Sequence, residues 1–152
     1  MSPEIRKIRS STKFKKTLLN QIREKKDSYF RLVSNRKVKY LTMLRLGLSP
    51  LKAHKHRHGF AEELQSGPDC GMCECPETTE HYLLYCRSFR LSRSILFDKV
   101  SEIMNVDFST LARIHKKTIL LYGKSDLSKA QNLKILTYTT EFVEKSKRFN
   151  TF

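Results

Sequence analysis

Four side chains able to ligate a soft metal fall within 17 residues, as Cys70-x2-Cys73-x7-His81-x4-Cys86. Zinc is held by thiolate sulfur and imidazole nitrogen at the corners of a tetrahedron. A Cys-x2-Cys turn puts two thiolates on one tight loop, whose backbone N–H groups can hydrogen-bond the sulfurs. His81 and Cys86, at the first and last parts of a short helix, close the other two corners. Four protein donors leave no open position, so the pattern predicts one structural zinc ion and not a catalytic one. The alternative is a set of buried free cysteines with His81 at the surface. Cys75 complicates the set, because it makes a Cys-x-Cys pair with Cys73. It is taken as a spare thiol, Cys-x2-Cys being the commoner chelate.

Other residues invite chemistry less strongly. His54 and His58 share one face of a helix at i, i+4, a spacing that can chelate. No carboxylate or cysteine lies near them in sequence, and Lys52, Lys55 and Arg57 would repel a cation. The histidines are expected to extend a basic surface, with one packed against the core. Catalysis finds no support: there is no Gly-rich phosphate loop, no Gly-flanked nucleophile and no carboxylate pair in an apolar setting. The chain is read as not an enzyme, with no catalytic residues and no small-molecule substrate.

Charge is distributed unevenly. Of 30 Lys and Arg and 15 Asp and Glu, residues 1–60 hold 17 of the bases and only 3 of the acids, a net of +14. A basic run with interspersed acids is usually a solvated face, but here the acids are nearly absent, and self-repulsion favours contact with a polyanion. The candidate nucleic-acid contacts are Lys13, Lys15, Lys16, Arg23, Arg36, Lys37, Lys39, Arg45, Lys52, Lys55 and Arg57. Aromatics interleave with these bases at Phe14, Tyr29, Phe30 and Tyr40, where they could stack on exposed bases. Phe14 is better explained as core. A membrane surface is the weaker partner, since there is no Trp and no helix joining a large apolar face to a basic one. Glu4, Arg6, Lys7 and Arg9 interrupt any apolar run at the start, so no signal peptide is expected. A reducing, intracellular setting, nuclear or cytoplasmic, follows as the default, and it favours metal ligands over disulfides for the clustered cysteines.

The elements that must position these groups read as mostly α: short helices around a small zinc-stapled knuckle, with a basic helical N-terminal arm. The arm spans 1–60 and the knuckle with its helical C-terminal region 61–152, with one continuous domain as the alternative. Helical spacing appears at 12–26 (Phe14, Leu18, Ile22), and the pattern breaks around Tyr29 to Asn35. A second helix runs from Arg36 to Leu46 with Val38, Leu41 and Leu44 inward, stopping at Gly47. Ser49-Pro50 is expected to start a short basic helix that Gly59 ends. Residues 66–76 are turn-rich. Thr78 or Thr79 can cap the helix of His81 to Tyr85, and a longer helix follows from about Ser88 to Met104, with Leu91, Ile95, Leu96, Val100 and Ile103 on one side. Leu111 to Tyr122 is weakly helical. A last helix begins near Ser128, with Leu133, Leu136, Thr140 and Val143 at helical spacing.

The run Leu41 to Leu51, His54 with His58-Gly-Phe60, Pro68-Asp-Cys70, Glu77-Thr78-Thr-Glu-His81 and Cys86 together resemble the C-terminal region of non-LTR (LINE-type) retrotransposon reverse transcriptase polyproteins. Pro3 to Arg6 with Phe14 to Leu19, and Leu120 to Gly123 with Lys147 to Phe149, extend the likeness over nearly the whole chain. The resemblance implies that Cys70, Cys73, His81 and Cys86 are the ligands and that Glu77-Thr78 starts the capping turn. It also implies binding of template RNA or target DNA during target-primed reverse transcription. Polymerase aspartates and an apurinic-type endonuclease are absent from the sequence, and Glu74 stands where knuckles often have Gly. The expectation is a zinc-binding, nucleic-acid-binding module that contacts phosphates. The alternatives are a zinc-stabilised fragment docking on an acidic partner or a reverse transcriptase body, and a non-functional remnant.

Overall fold

Gly47 stops the first described helix by a left-handed turn. α1 spans Asn35–Leu46, Gly47 takes φ +66°, and the Leu48 N–H returns to the Met43 carbonyl at 3.0 Å, the 6→1 bond of a Schellman ending. The computed structural model describes residues 35–59 and 66–150. The chain divides into units Met1–Val38 and Lys39–Phe152. Of the first, the described part is the opening turn of α1; the helix expected at 12–26, Tyr29, Phe30, Lys13, Lys15, Lys16 and Arg23 lie outside the described residues.

Within the second unit the mostly helical expectation holds, with no strand among the described residues. After α1 come α2 (Lys52–Arg57), a π-helical turn (His81–Tyr85) and a 3-10 turn (Arg87–Phe89). These lead to α3 (Arg90–Met104), α4 (Arg113–Tyr122) and α5 (Lys129–Ser146). Leu41 and Leu44 are buried, as their spacing predicts. Ser49-Pro50 does not open α2. The helix starts two residues later, behind Leu51 as N-cap; the Ser49 hydroxyl accepts the Leu51 N–H at 3.2 Å and meets His54 Nδ1 at 2.6 Å.

The C-terminal helices form the bulk of the core. α5 packs on α3 and α4. Its start is fixed by a capping box, in which Ser128 and Gln131 exchange side-chain and backbone hydrogen bonds. Its buried face carries Ile135, Leu136, Thr139, Thr140, Phe142 and Val143, and the Thr139 hydroxyl donates to the Leu120 carbonyl of α4 at 2.8 Å. Gly123 ends α4 with φ +76°, and a side chain there would strike Asn132, whose amide bonds Lys124 N–H at 2.9 Å and Lys124 C=O at 3.0 Å.

The buried face of α3 differs from the expected stripe. Leu96 and Val100 are buried, but Leu91 and Ile95 are exposed, and Arg93 is buried in their stead. The reason lies in the site that α3 supports.

Candidate metal centre

A turn and a π-bulge bring the four expected ligands together. Pro68 to Pro76 folds back on itself: Asp69 bridges Pro76, the Cys70 N–H donates to the Cys75 carbonyl at 2.7 Å, and the Glu74 N–H to the Cys70 carbonyl at 3.0 Å. Closing this loop puts Glu74 in the left-handed region at φ +56°, where a side chain costs more than glycine. This is the position at which the sequence lacks the expected glycine.

Thr78 then starts the helical turn, its hydroxyl accepting the His81 N–H at 3.1 Å. The turn widens: the Cys86 N–H reaches the His81 carbonyl, an i→i+5 bond of 2.8 Å. In an α-helix five residues advance roughly 500°, leaving the last about 140° out of line with the first. The π-turn rotates less per residue and returns Cys86 toward the side that carries His81.

The donor atoms of Cys70, Cys73, His81 and Cys86 all lie within 4.8 Å of one another, and these residues can hold a metal ion. Cys70 Sγ and Cys86 Sγ are 3.8 Å apart. A tetrahedron with Zn–S bonds of about 2.3 Å has an S···S edge of about 3.8 Å, so the spacing fits that ion. Cys70, His81 and Cys86 are buried and Cys73 is half-buried.

Protonation tells the same story. Burial pushes the Cys86 thiol up to about 11. The Arg87 backbone N–H, 3.5 Å from Cys73 Sγ, is the first cause pulling the Cys73 thiol below its ordinary value. Burial lowers His81, keeping its ring neutral and able to ligate. Thiolates packed this closely repel one another, and a bound cation reverses the penalty.

Cys75 is not remote. Its Sγ lies 3.3 Å from His81 Nδ1, and burial, then the charges of Cys73 and Cys70, raise its thiol. It stands as a neighbour of the His81 imidazole, outside the four-donor cluster.

Arg93 explains the buried face of α3. Ending the π-turn at Cys86 frees carbonyls, and one guanidinium takes three of them: Nε to Leu83 at 2.9 Å, Nη1 to Cys86 at 2.8 Å and Nη2 to Tyr82 at 2.9 Å. Its fixed positive charge also sits beside the sulfurs. Sequence reasoning missed it; the available clue was an arginine three residues before Leu96, on that leucine's own helical face.

Glu77 does more than open the capping turn. Its carboxylate is buried and accepts the Lys52 N–H of α2 at 2.7 Å. It also accepts Arg148 Nε at 3.1 Å and is bridged by Arg148 Nη2, which reaches the Pro50 carbonyl at 2.9 Å as well. The residue beside Arg148, Phe149, stacks on Tyr82 with ring centres 5.5 Å apart and meets Tyr40 edge-on at 5.7 Å. Tyr40 is therefore core and is not offered to a stacking base.

The described candidate bases are scattered in role. Arg36, Lys39 and Arg57 are exposed, and Lys37, Arg45, Lys52 and Lys55 half-buried. Arg45 Nε donates to the Leu121 carbonyl at 2.7 Å, with the guanidinium over the Tyr122 ring. Arg57 Nη2 donates to the Gly47 carbonyl at 3.1 Å. Of the three histidines, His54 is the one packed inward: its nitrogens meet Ser49 and Thr79 hydroxyls, and burial, then Arg57, lowers its pKa to about 4. Among the described residues no helix is long and apolar enough to cross a membrane. Comparison with family models, curated proteins and solved structures finds no match to this chain.

Proposed function

We propose that the chain is a non-enzymatic, zinc-stapled module that binds RNA or DNA mainly through phosphates. It would be akin to the C-terminal segment of a retrotransposon reverse transcriptase. The observation that carries the metal half is the convergence of three sulfurs and one imidazole within 4.8 Å. Soft thiolates with one imidazole select zinc over calcium or magnesium, and four protein donors make the ion a staple. The nucleic-acid half rests on charge: 17 bases against 3 acids in residues 1–60.

Elemental analysis of the purified chain tests the first half, with one zinc per chain expected and none in a Cys73→Ser, Cys86→Ser variant. The second half is tested by binding of a labelled oligonucleotide at rising salt. If about six phosphates are contacted, the log–log slope is about −5, and a flat response would sink the reading. A protein-docking role has one observation in its favour, the exposure of Leu46 and Leu48 at the end of α1. For that role, binding to an acidic partner would exceed binding to RNA at matched salt.

A further inference from the structure

The C-terminal end of α1, α2 and α4 line a cleft of about 540 Å³. Its described lining holds Arg45, Arg57 and Lys117 and no Asp or Glu. His54 also lines it, but burial and then the Arg57 charge lower its pKa to about 4, so the positive charge belongs to the other three. Arg45 has its Nε committed to Leu121. Arg57 spends Nη2 on Gly47, and among the described residues its other donors have no protein acceptor. Lys117 makes no ion pair or hydrogen bond among the described residues. The same cleft carries Leu46, 56% exposed, and Ile114, 67% exposed. A concave site with the Arg57 and Lys117 cations, no carboxylate in its described lining and exposed aliphatic side chains beside them suits a ligand that is anionic at one end and flat and apolar at the other.

We infer that the cleft takes one nucleotide of a single-stranded polynucleotide, its phosphodiester group on Lys117 and Arg57 and its sugar and base against Leu46 and Ile114. The inference rests on the nucleic-acid reading above and gives it a place. It also adds a residue, Lys117, that lies far in sequence from the basic first 60 residues. A single strand fits better than a duplex, since only an unstacked base can turn into a cleft and reach an aliphatic surface. An acidic peptide is the less suitable occupant: no strand edge is exposed among the described residues of the lining to bind its backbone.

The test uses the full zinc-loaded chain. A fluorescein-labelled 12-nucleotide RNA is titrated by polarisation at several salt concentrations, and inorganic phosphate by amide NMR at Gly47 and Thr118. Lys117→Gln removes a charge with no described protein partner, so its Tm should stay that of the wild type. It should weaken RNA binding about 3- to 10-fold and lower the salt slope by about 1. Adding Arg57→Gln should weaken it further, whereas Lys134→Gln, exposed on α5, should change affinity by less than about twofold. RNA binding unchanged in Lys117→Gln, or equally weakened in Lys134→Gln, would overturn the cleft while leaving the nucleic-acid reading intact. Phosphate shifting the cleft amides while RNA fails to bind would overturn that reading instead and assign the cleft to a free phosphate. Displacement of the RNA by an oligoglutamate of equal charge would assign the cleft to an acidic peptide and overturn the inference.

Discussion

Between residues 70 and 86 the chain gathers three sulfurs and an imidazole, drawn from one short stretch, that could hold a metal ion. Residues 148 and 149 are held by partners far behind them in sequence: Arg148 grips Glu77, 71 positions back, and Phe149 stacks on Tyr82. Both fastenings converge on the same few residues, since Glu77 and Tyr82 flank His81. They differ in what they require. The tail fastening is complete in protein atoms, an ion pair and an aromatic cluster, whereas the sulfur group would fasten the chain by coordination only with a cation bound. On the proposed zinc reading, a small unit is closed by burial at one end and by coordination at the other, with one helical turn belonging to both.

Breaking the sulfur side should have the largest effect. Cys70→Ser with Cys86→Ser, or a strong chelator on the wild type, should collapse the cooperative thermal transition. Structural zinc contributes about 10 kcal/mol or more of apparent folding free energy in small zinc domains. A calorimetric transition unchanged by chelator would show that protein packing alone suffices.

On the tail side, Phe149→Ala should cost about 3–5 kcal/mol, the range for a buried aromatic, read from urea midpoints with zinc in place. It should leave zinc stoichiometry at its wild-type value, which separates the two fastenings. Arg148→Ala strands the buried Glu77 carboxylate and should cost about 2–3 kcal/mol, less than a fully buried pair because Arg148 is partly exposed. Pairing it with Glu77→Gln should recover part of that loss, and a strictly additive double-mutant cycle would deny the coupling.

The smallest effect is a pH dependence at the seam where α2 meets the Thr78-Thr79 turn. His54 has a folded pKa of about 4 against an ordinary 6.5, so the unfolded chain takes up its proton first. The stability that depends on a neutral His54 is fully present above about pH 6.5 and is lost as pH falls toward 4. The wild-type stability curve should fall through that window more steeply than that of His54→Gln. Parallel curves would place the sensitivity elsewhere, His81 being the next candidate.

The sequence made one of these fastenings readable and hid the other, for a physical reason. Finger-type zinc sites draw Cys and His at short spacing, so the candidate ligands Cys70, Cys73, His81 and Cys86 stand out in a single window. Caps are local too, which is why Gly47, Thr78 and Ser128 are found where their residue types predict. Glu77–Arg148 and Tyr40–Phe149 join residues with nothing between them in sequence to mark the pairing. Arg93 was hidden differently: periodicity sorts side chains by polarity, and it assigned Leu91 and Ile95 to the interior over a charged neighbour. The freed carbonyls at Cys86 reversed that order, because a guanidinium can satisfy three of them and a leucine none. Charge counting likewise gave Arg45 to a polyanion, although it sees neither the Leu121 carbonyl nor the Tyr122 ring.

The i→i+5 bond between Cys86 and His81 has a consequence for how this stretch can change over time. Leu83 and Leu84 can be exchanged for side chains of similar volume at modest cost, because the bond is made by backbone atoms. Removing a single residue from 82–85 is another matter. The turn would shorten to α-helical pitch, which keeps Cys86 within about 40° of His81's face but shifts the Tyr82, Leu83 and Cys86 carbonyls that Arg93 holds. Point substitutions and length changes here therefore face very different tolerance: among descendants of this chain the distance from His81 to Cys86 should drift less than the residues that fill it.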